Sequence, residues 1–182
     1  RDDRGRLVAF TNQLGAVTRY GYNARGQVTA ITNASGGTIA FGYDTSGNLV
    51  AHSDADSGTW SNTVDVLGRV TRVTAPDGTS RQYAYDVLDR LTNAVDEAGV
   101  ATDYRFDLNG NLTQVVHAAG TALARTNAYA FDALTRPVRS TDAAGFASTI
   151  DYTWWGAVSN VTLPDGAATT FRYTPARFLQ AV

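Results

Sequence analysis

The residues most able to do chemistry are a set of aspartates that returns along the whole chain: Asp2, Asp44, Asp65, Asp86, Asp107 and Asp132. Two carboxyls held ~5 to 9.5 Å apart across a cleft would suit hydrolysis of a glycosidic bond. These aspartates, however, come back in the same local setting each time, which points to turn capping rather than to one catalytic pair. His52 and His117 have no Cys and no second His nearby in the sequence, and a zinc centre needs three or four convergent ligands. Asp54-Ala55-Asp56-Ser57-Gly58 resembles the start of a calcium loop, but lacks its third oxygen ligand, its correctly placed Gly and its distal Glu. The chain has no Lys and no Cys, so P-loop, Schiff-base, thiolate and disulfide chemistry are all absent. Nor is there a Gly-x-Ser-x-Gly nucleophile elbow. Trp60, Trp154 and Trp155 remain as candidates for a sugar or partner contact. We therefore expect no catalytic residue, no metal site and no cofactor.

The setting of the aspartates is a repeat. Arg1, Tyr22, Tyr43, Val64, Tyr85, Phe106, Phe131, Tyr152 and Tyr173 form an anchor column, with successive differences of 21 five times, then 25, then 21 twice. The long step places a four-residue insertion between Phe106 and Phe131. A period this strict marks an array in which each unit is one supersecondary element that cannot bury its apolar surface alone. We read residues 1–182 as one array of about eight units.

Within a unit, a large residue two before the anchor (Tyr20, Phe41, Tyr83, Tyr104, Tyr129) shares one strand face with it. Directly after the anchor comes Asp-x-x-Gly, as in Asp44 to Gly47, Asp65 to Gly68 and Asp107 to Gly110, with Asn23 to Gly26 as the amide form. Asp or Asn first and Gly fourth is the chemistry of a type I turn continued by a residue of positive φ. A β-branched residue should not fit such a Gly, so Gly110→Val is expected to be costly. A second Gly-centred turn, strongest in Pro76-Asp77-Gly78 and Pro164-Asp165-Gly166, lies seven residues before most anchors. Two turns per unit leave two strands of six or seven residues, about seventeen strands in all. Helix formers are scarce, since every basic residue is Arg and Glu97 is the one Glu. The expected fold is all-β: tandem antiparallel hairpins in one long, strongly curved sheet, not a parallel coil per repeat.

One spacing leaves two readings open. Aliphatic residues stand six past the anchor (Val28, Leu49, Val70, Leu112, Val158) and often again at nine past (Ile31, Val73, Val115, Val161). A separation of three breaks strand alternation, so either both faces are partly covered or a bulge intervenes.

The core aromatic-Asp-x-x-Gly-(Arg/Asn/Gln)-(Leu/Val), seen as Tyr43-Asp44-Thr45-Ser46-Gly47-Asn48-Leu49 and Phe106-Asp107-Leu108-Asn109-Gly110-Asn111-Leu112, resembles the YD repeats of the Rhs family. That family includes bacterial Rhs toxins, the C components of Tc toxins and teneurin-like shells. The columns that carry the likeness are Tyr22, Gly26, Tyr43, Asp44, Gly47, Asp65, Gly68, Tyr85, Asp86, Phe106, Asp107, Gly110, Phe131, Asp132, Tyr152, Gly156 and Tyr173. Departures occur at Val64, Asp89, Thr135, Pro137, Thr153 and Thr174.

The resemblance implies a spiral β-shell around a polypeptide cargo such as a C-terminal toxin, in an exported bacterial protein. It also implies neighbouring repeats in a longer chain, of which this sequence would be a segment. Family autoproteolysis uses Asp-Pro-rich motifs, and no Asp-Pro pair occurs here. The alternatives are an extracellular adhesion or filament module assembling through edge strands, here residues 6–12 and 178–182, and a carbohydrate-binding domain. The net charge of −2 offers no broad attraction to nucleic acid, and no apolar run is long enough to span a membrane as a helix.

Overall fold

The computed structural model describes residues 1–54, 56 and 58–182. Among them there is no helix, and none therefore that could cross a membrane. Strand order equals chain order through a sixteen-stranded antiparallel sheet, with a separate two-stranded pair after it.

The chain divides into two compact units, Arg1–Tyr83 and Ala84–Val182. The first holds β1 (Ala9–Thr11), β2 (Val17–Tyr22), β3 (Val28–Thr32), β4 (Thr38–Tyr43), β5 (Leu49–Asp54), β6 (Gly58–Val64), β7 (Val70–Thr74) and most of β8 (Ser80–Tyr85). The second holds β9 (Leu91–Val95), β10 (Ala101–Phe106), β11 (Leu112–His117), β12 (Arg125–Phe131), β13 (Pro137–Thr141), β14 (Ala147–Tyr152), β15 (Val158–Thr162), β16 (Ala168–Thr170), β17 (Arg172–Tyr173) and β18 (Leu179–Ala181). That is eighteen described strands where the turn count predicts about seventeen, because one strand breaks at Phe171 into β16 and β17. The terminal strands are also shorter than expected, three residues each in β1 and β18. Tyr22 ends β2 and Tyr43 ends β4, with β3 between them, so the repeats are hairpins and not stacked parallel coils.

The register resolves the three-residue spacing in favour of a bulge. Tyr22 opposes Val28 and Gly21 opposes Ala30, so Val28 and Thr29 together face one residue. Ile31 then opposes Tyr20, and both aliphatics fall on the aromatic side of the sheet. The same slip recurs at Gly42/Tyr43, Thr63/Val64, Arg105/Phe106, Ala130/Phe131 and Asp151/Tyr152. In the first unit this puts Tyr20, Ile31 and Ile39, then Phe41, His52 and Trp60, in cross-strand rows. The intervening positions are small: Gly21, Ala30 and Ala40, then Gly42, Ala51 and Ser61.

Within each unit the described strands form a single layer. No described apolar side chain is fully withdrawn from solvent. Stable domains set a second layer against an apolar sheet face, whereas among the described residues of each unit the strand contacts are with the strands beside them.

The turns carry the conformation that Gly ordinarily supplies, even where Gly is replaced. Asp89, Thr135 and Arg177 stand in the turn-Gly column and adopt φ of 62°, 62° and 66°. For Thr135 the branched Cβ makes this region costly. We expect Thr135→Gly to raise stability by about 1 kcal/mol, read as a higher urea midpoint with an unchanged slope. An unchanged or lower midpoint would show that the threonine is not strained.

Candidate functional site

Each aspartate in the repeat column is the centre of a turn. In Asp44 to Asn48, the Gly47 N–H donates to the Asp44 carbonyl at 3.1 Å and the Asp44 N–H donates to the Asn48 carbonyl at 3.0 Å. The Asp44 carboxylate accepts from the N–H groups of Ser46 and Asn48 at 2.9 and 2.8 Å, and from Asn48 Nδ2 at 2.8 Å. Asp107 repeats this with Asn109 and Asn111. Where the donor is arginine, its Nε reaches the carboxylate at 2.7 Å, in Arg6–Asp2, Arg69–Asp65, Arg90–Asp86 and Arg136–Asp132. Asn23 replaces the acid and bonds Gln27 through its own amide at 3.0 Å.

These contacts hold the carboxyls below the ordinary 3.8. For Asp2 and Asp132 the arginine hydrogen bond is the largest cause, and for Asp44 and Asp107 it is the asparagine amide. For Asp65 and Asp86 partial burial pushes upward, but the arginine and the turn N–H groups together outweigh it. Asp77, in one of the opposite turns, is lowered by the Thr79 hydroxyl and N–H. All these carboxylates are thus occupied in holding turns.

The donor column does a second thing, which sequence reading missed. Arg6 Nη1 also donates to the Asn23 carbonyl at 3.2 Å, and Arg90 Nη1 to the Asp107 carbonyl at 3.3 Å, each in the following unit. Gln27 Nε2 likewise reaches the Gly47 carbonyl at 2.8 Å. The guanidiniums lie over the next anchor ring: Arg6 over Tyr22 and Arg90 over Phe106, both at 4.6 Å, and Arg136 over Tyr152 at 4.3 Å. The anchor tyrosines reach back. Tyr22, Tyr43, Tyr152 and Tyr173 donate their hydroxyls to the carbonyls of Leu7, Val28, Pro137 and Val158, fifteen residues earlier, at 2.7 to 2.9 Å. The result is a ladder in which carboxylate, arginine and tyrosine tie one turn to the next at several steps of the array. A hydrogen-bond donor five residues past seven of the nine anchors (Arg6, Gln27, Asn48, Arg69, Arg90, Asn111, Arg136) was the available signal.

The other predicted positions fall into this frame. Gly26, Gly47, Gly68, Gly110 and Gly156 all have positive φ, between 81° and 96°. Tyr85 and Phe131 end β8 and β12, and Phe131 opposes Pro137. His52 stacks on Trp60 at 6.3 Å with 4° between planes, and His117 ends β11 opposite Arg125. Asp54 Oδ1 accepts from the Asp56 N–H at 3.0 Å, while Ala55 and Ser57 of that loop lie outside the described residues. Among the described residues no three acidic, His or Cys side chains could hold a metal ion together.

Compared with known proteins, the chain matches the model of the RHS Repeat family over residues 1–38, 22–59, 64–101 and 88–122. No curated protein matches it. The crystal structure of TcdB2-TccC3-Cdc42 is similar, with a TM-score of 0.63 and 16% identity over 88% of this chain and 10% of that one. TcdB2-TccC3 without its hypervariable C-terminal region gives 0.64 and 16% over 90% and 10%. The Photorhabdus luminescens Tc holotoxin pore bearing a TccC3 mutation gives 0.62 and 16% over 87% and 10%. At such identity the likeness shows the fold, and the chain spans about a tenth of those chains.

Proposed function

For a chain that belongs to the RHS repeat family, we propose a structural, non-enzymatic role: a segment of a β-shell wall that shields a polypeptide cargo, with residues 1–182 forming one stretch of repeats. The observation that carries this reading is the single-layer sheet with no buried core, stitched from turn to turn by the Asp–Arg–Tyr ladder. A wall needs lateral continuity and two usable faces, and this design supplies both while leaving closure to whatever adjoins it. One similar structure is described as lacking a hypervariable C-terminal region, and a variable segment of that kind is the cargo we have in mind. Export from a bacterial cell follows from the same reading.

Hydrogen exchange with sedimentation tests it. Both β1 and β18 are exposed throughout and present unpaired backbone to one side. The isolated chain is expected to associate through residues 6–12 and 178–182, or to exchange fastest there. A monodisperse monomer whose terminal strands are as protected as β4 or β11 would be a self-sufficient domain, and the wall reading would fail.

A further inference from the structure

In the turns after Tyr152 and Tyr173 both the carboxylate and the side-chain donor of the ladder are replaced, by Thr153 with Ala157 and by Thr174 with Phe178, and the residues around them have the features of a binding site. Thr153 and Thr174 stand where the repeat calls for Asp, and their hydroxyls accept from the N–H groups of Ala157 and Phe178 at 3.0 and 3.1 Å. Two carboxylates are thereby removed from adjacent turns. Between them Trp154 and Trp155 meet edge to face at 5.4 Å, and Trp155 meets the Tyr173 ring the same way at 5.9 Å. Arg177 places its guanidinium 5.1 Å from the centre of Trp154 and 5.8 Å from that of Trp155. Trp155 is half-buried and anchors the group, whereas Trp154 is 82% exposed.

Arg177 stands in the turn-Gly column, one position before the column of Arg6, Arg69, Arg90 and Arg136, which Phe178 occupies here. Those four arginines each hold a carboxylate of their own turn. Among the described residues Arg177 has no acidic partner, and its side chain makes no hydrogen bond. A largely exposed indole and, over it, a guanidinium with no acidic or hydrogen-bonding partner among the described residues therefore stand together where two turn carboxylates are replaced. The indole supports the C–H face of a pyranose ring, and the fork matches a carboxylate in two parallel hydrogen bonds. With one cation, the site suits one charge per sugar better than a nucleic acid, which draws on several cations along its backbone. Its openness suits a chain lying across a surface, since a small aromatic ligand is held by enclosure on most sides.

We propose that Trp154 and Arg177 form a surface site for an acidic saccharide, a pyranose chain bearing a carboxylate. This goes beyond a wall role and does not depend on it. The test is calorimetric titration of the chain with trigalacturonate, with cellotriose as the neutral control. Saturable binding is expected for the uronate, about tenfold or more tighter than for cellotriose. Trp154→Ala should abolish it. Arg177→Gln should bring the uronate down to the level of the neutral sugar, leaving the latter unchanged. Circular dichroism and thermal melting confirm that each variant is folded. If a variant unfolds, methyl-esterified trigalacturonate on the unaltered chain gives the same comparison, because esterification removes the charge and keeps the ring. No saturable uronate binding, equal affinity for the ester, or equally tight binding of inorganic phosphate or a short oligonucleotide would each overturn the proposal.

Discussion

Gly68→Val is expected to lower the stability of the chain by about 2–3 kcal/mol, more than the same change at Gly78. Both glycines close a turn with nearly the same backbone, φ +81° and +85°. Forcing a β-branched residue there costs on the order of 1–2 kcal/mol from φ alone. At Gly78 nothing lies within 4 Å of an added Cβ, so that cost stands by itself. At Gly68 the Cβ would lie 2.8 Å from Asn48 Oδ1. The Asn48 amide is not free to swing aside, because its Nδ2 donates to Asp44 Oδ2 at 2.8 Å. Valine at 68 thus both strains its own turn and dislodges the rung below, adding about 1 kcal/mol for a lost hydrogen bond. Denaturant midpoints of the two variants measure the difference. Equal losses would mean that neighbouring turns are not coupled through this column. Gly110→Val, costly on sequence grounds, belongs with Gly78, since Arg90 Nη1 is its nearest neighbour at 3.9 Å.

Acid should dismantle the ladder as a set. Seven aspartates, Asp2, Asp44, Asp65, Asp77, Asp86, Asp107 and Asp132, are held below their unfolded value of 3.8. A carboxyl whose folded pKa is depressed contributes stability that is fully present above the unfolded value and is lost as pH falls through the folded one. The melting temperature is therefore expected to stay nearly level from pH 7 to pH 5 and to fall steeply below pH 4. The drop should be larger than any single turn would give, because the carboxylates of several turns are lost over the same pH range. Neutralising Asp65, Asp86 and Asp132 together to Asn should lower the plateau and flatten the acid limb, since an amide still accepts the turn N–H bonds but holds no charged arginine. The naturally amidic Asn23 turn shows that such a turn can form. A melting temperature that is the same at pH 3 and pH 7 would leave these carboxylates no part in stability.

The period of 21, the paired turns and the aromatic columns were open to reading because they rest on contacts within a few residues. The Asp44 carboxylate meets Ser46 and Asn48, two and four positions on, and such short loops close on chemistry that the local sequence carries whole. Hairpins followed from two turns per unit, and with them the all-β architecture.

What the sequence left open lies across strands. The bulge opposite Tyr22 exists only in the register of β2 against β3, so the Val28 and Ile31 spacing by itself allowed two answers. The bond from Tyr43 to Val28, fifteen residues away, and that from Gln27 to Gly47, twenty away, arise because hairpin pairing brings turn beside turn. Arg177 meets Trp154, and Tyr173 meets Trp155, for the same reason, from residues that look unrelated along the chain. Local turn chemistry is written within a unit, whereas contacts between units depend on a strand register that only the folded sheet sets.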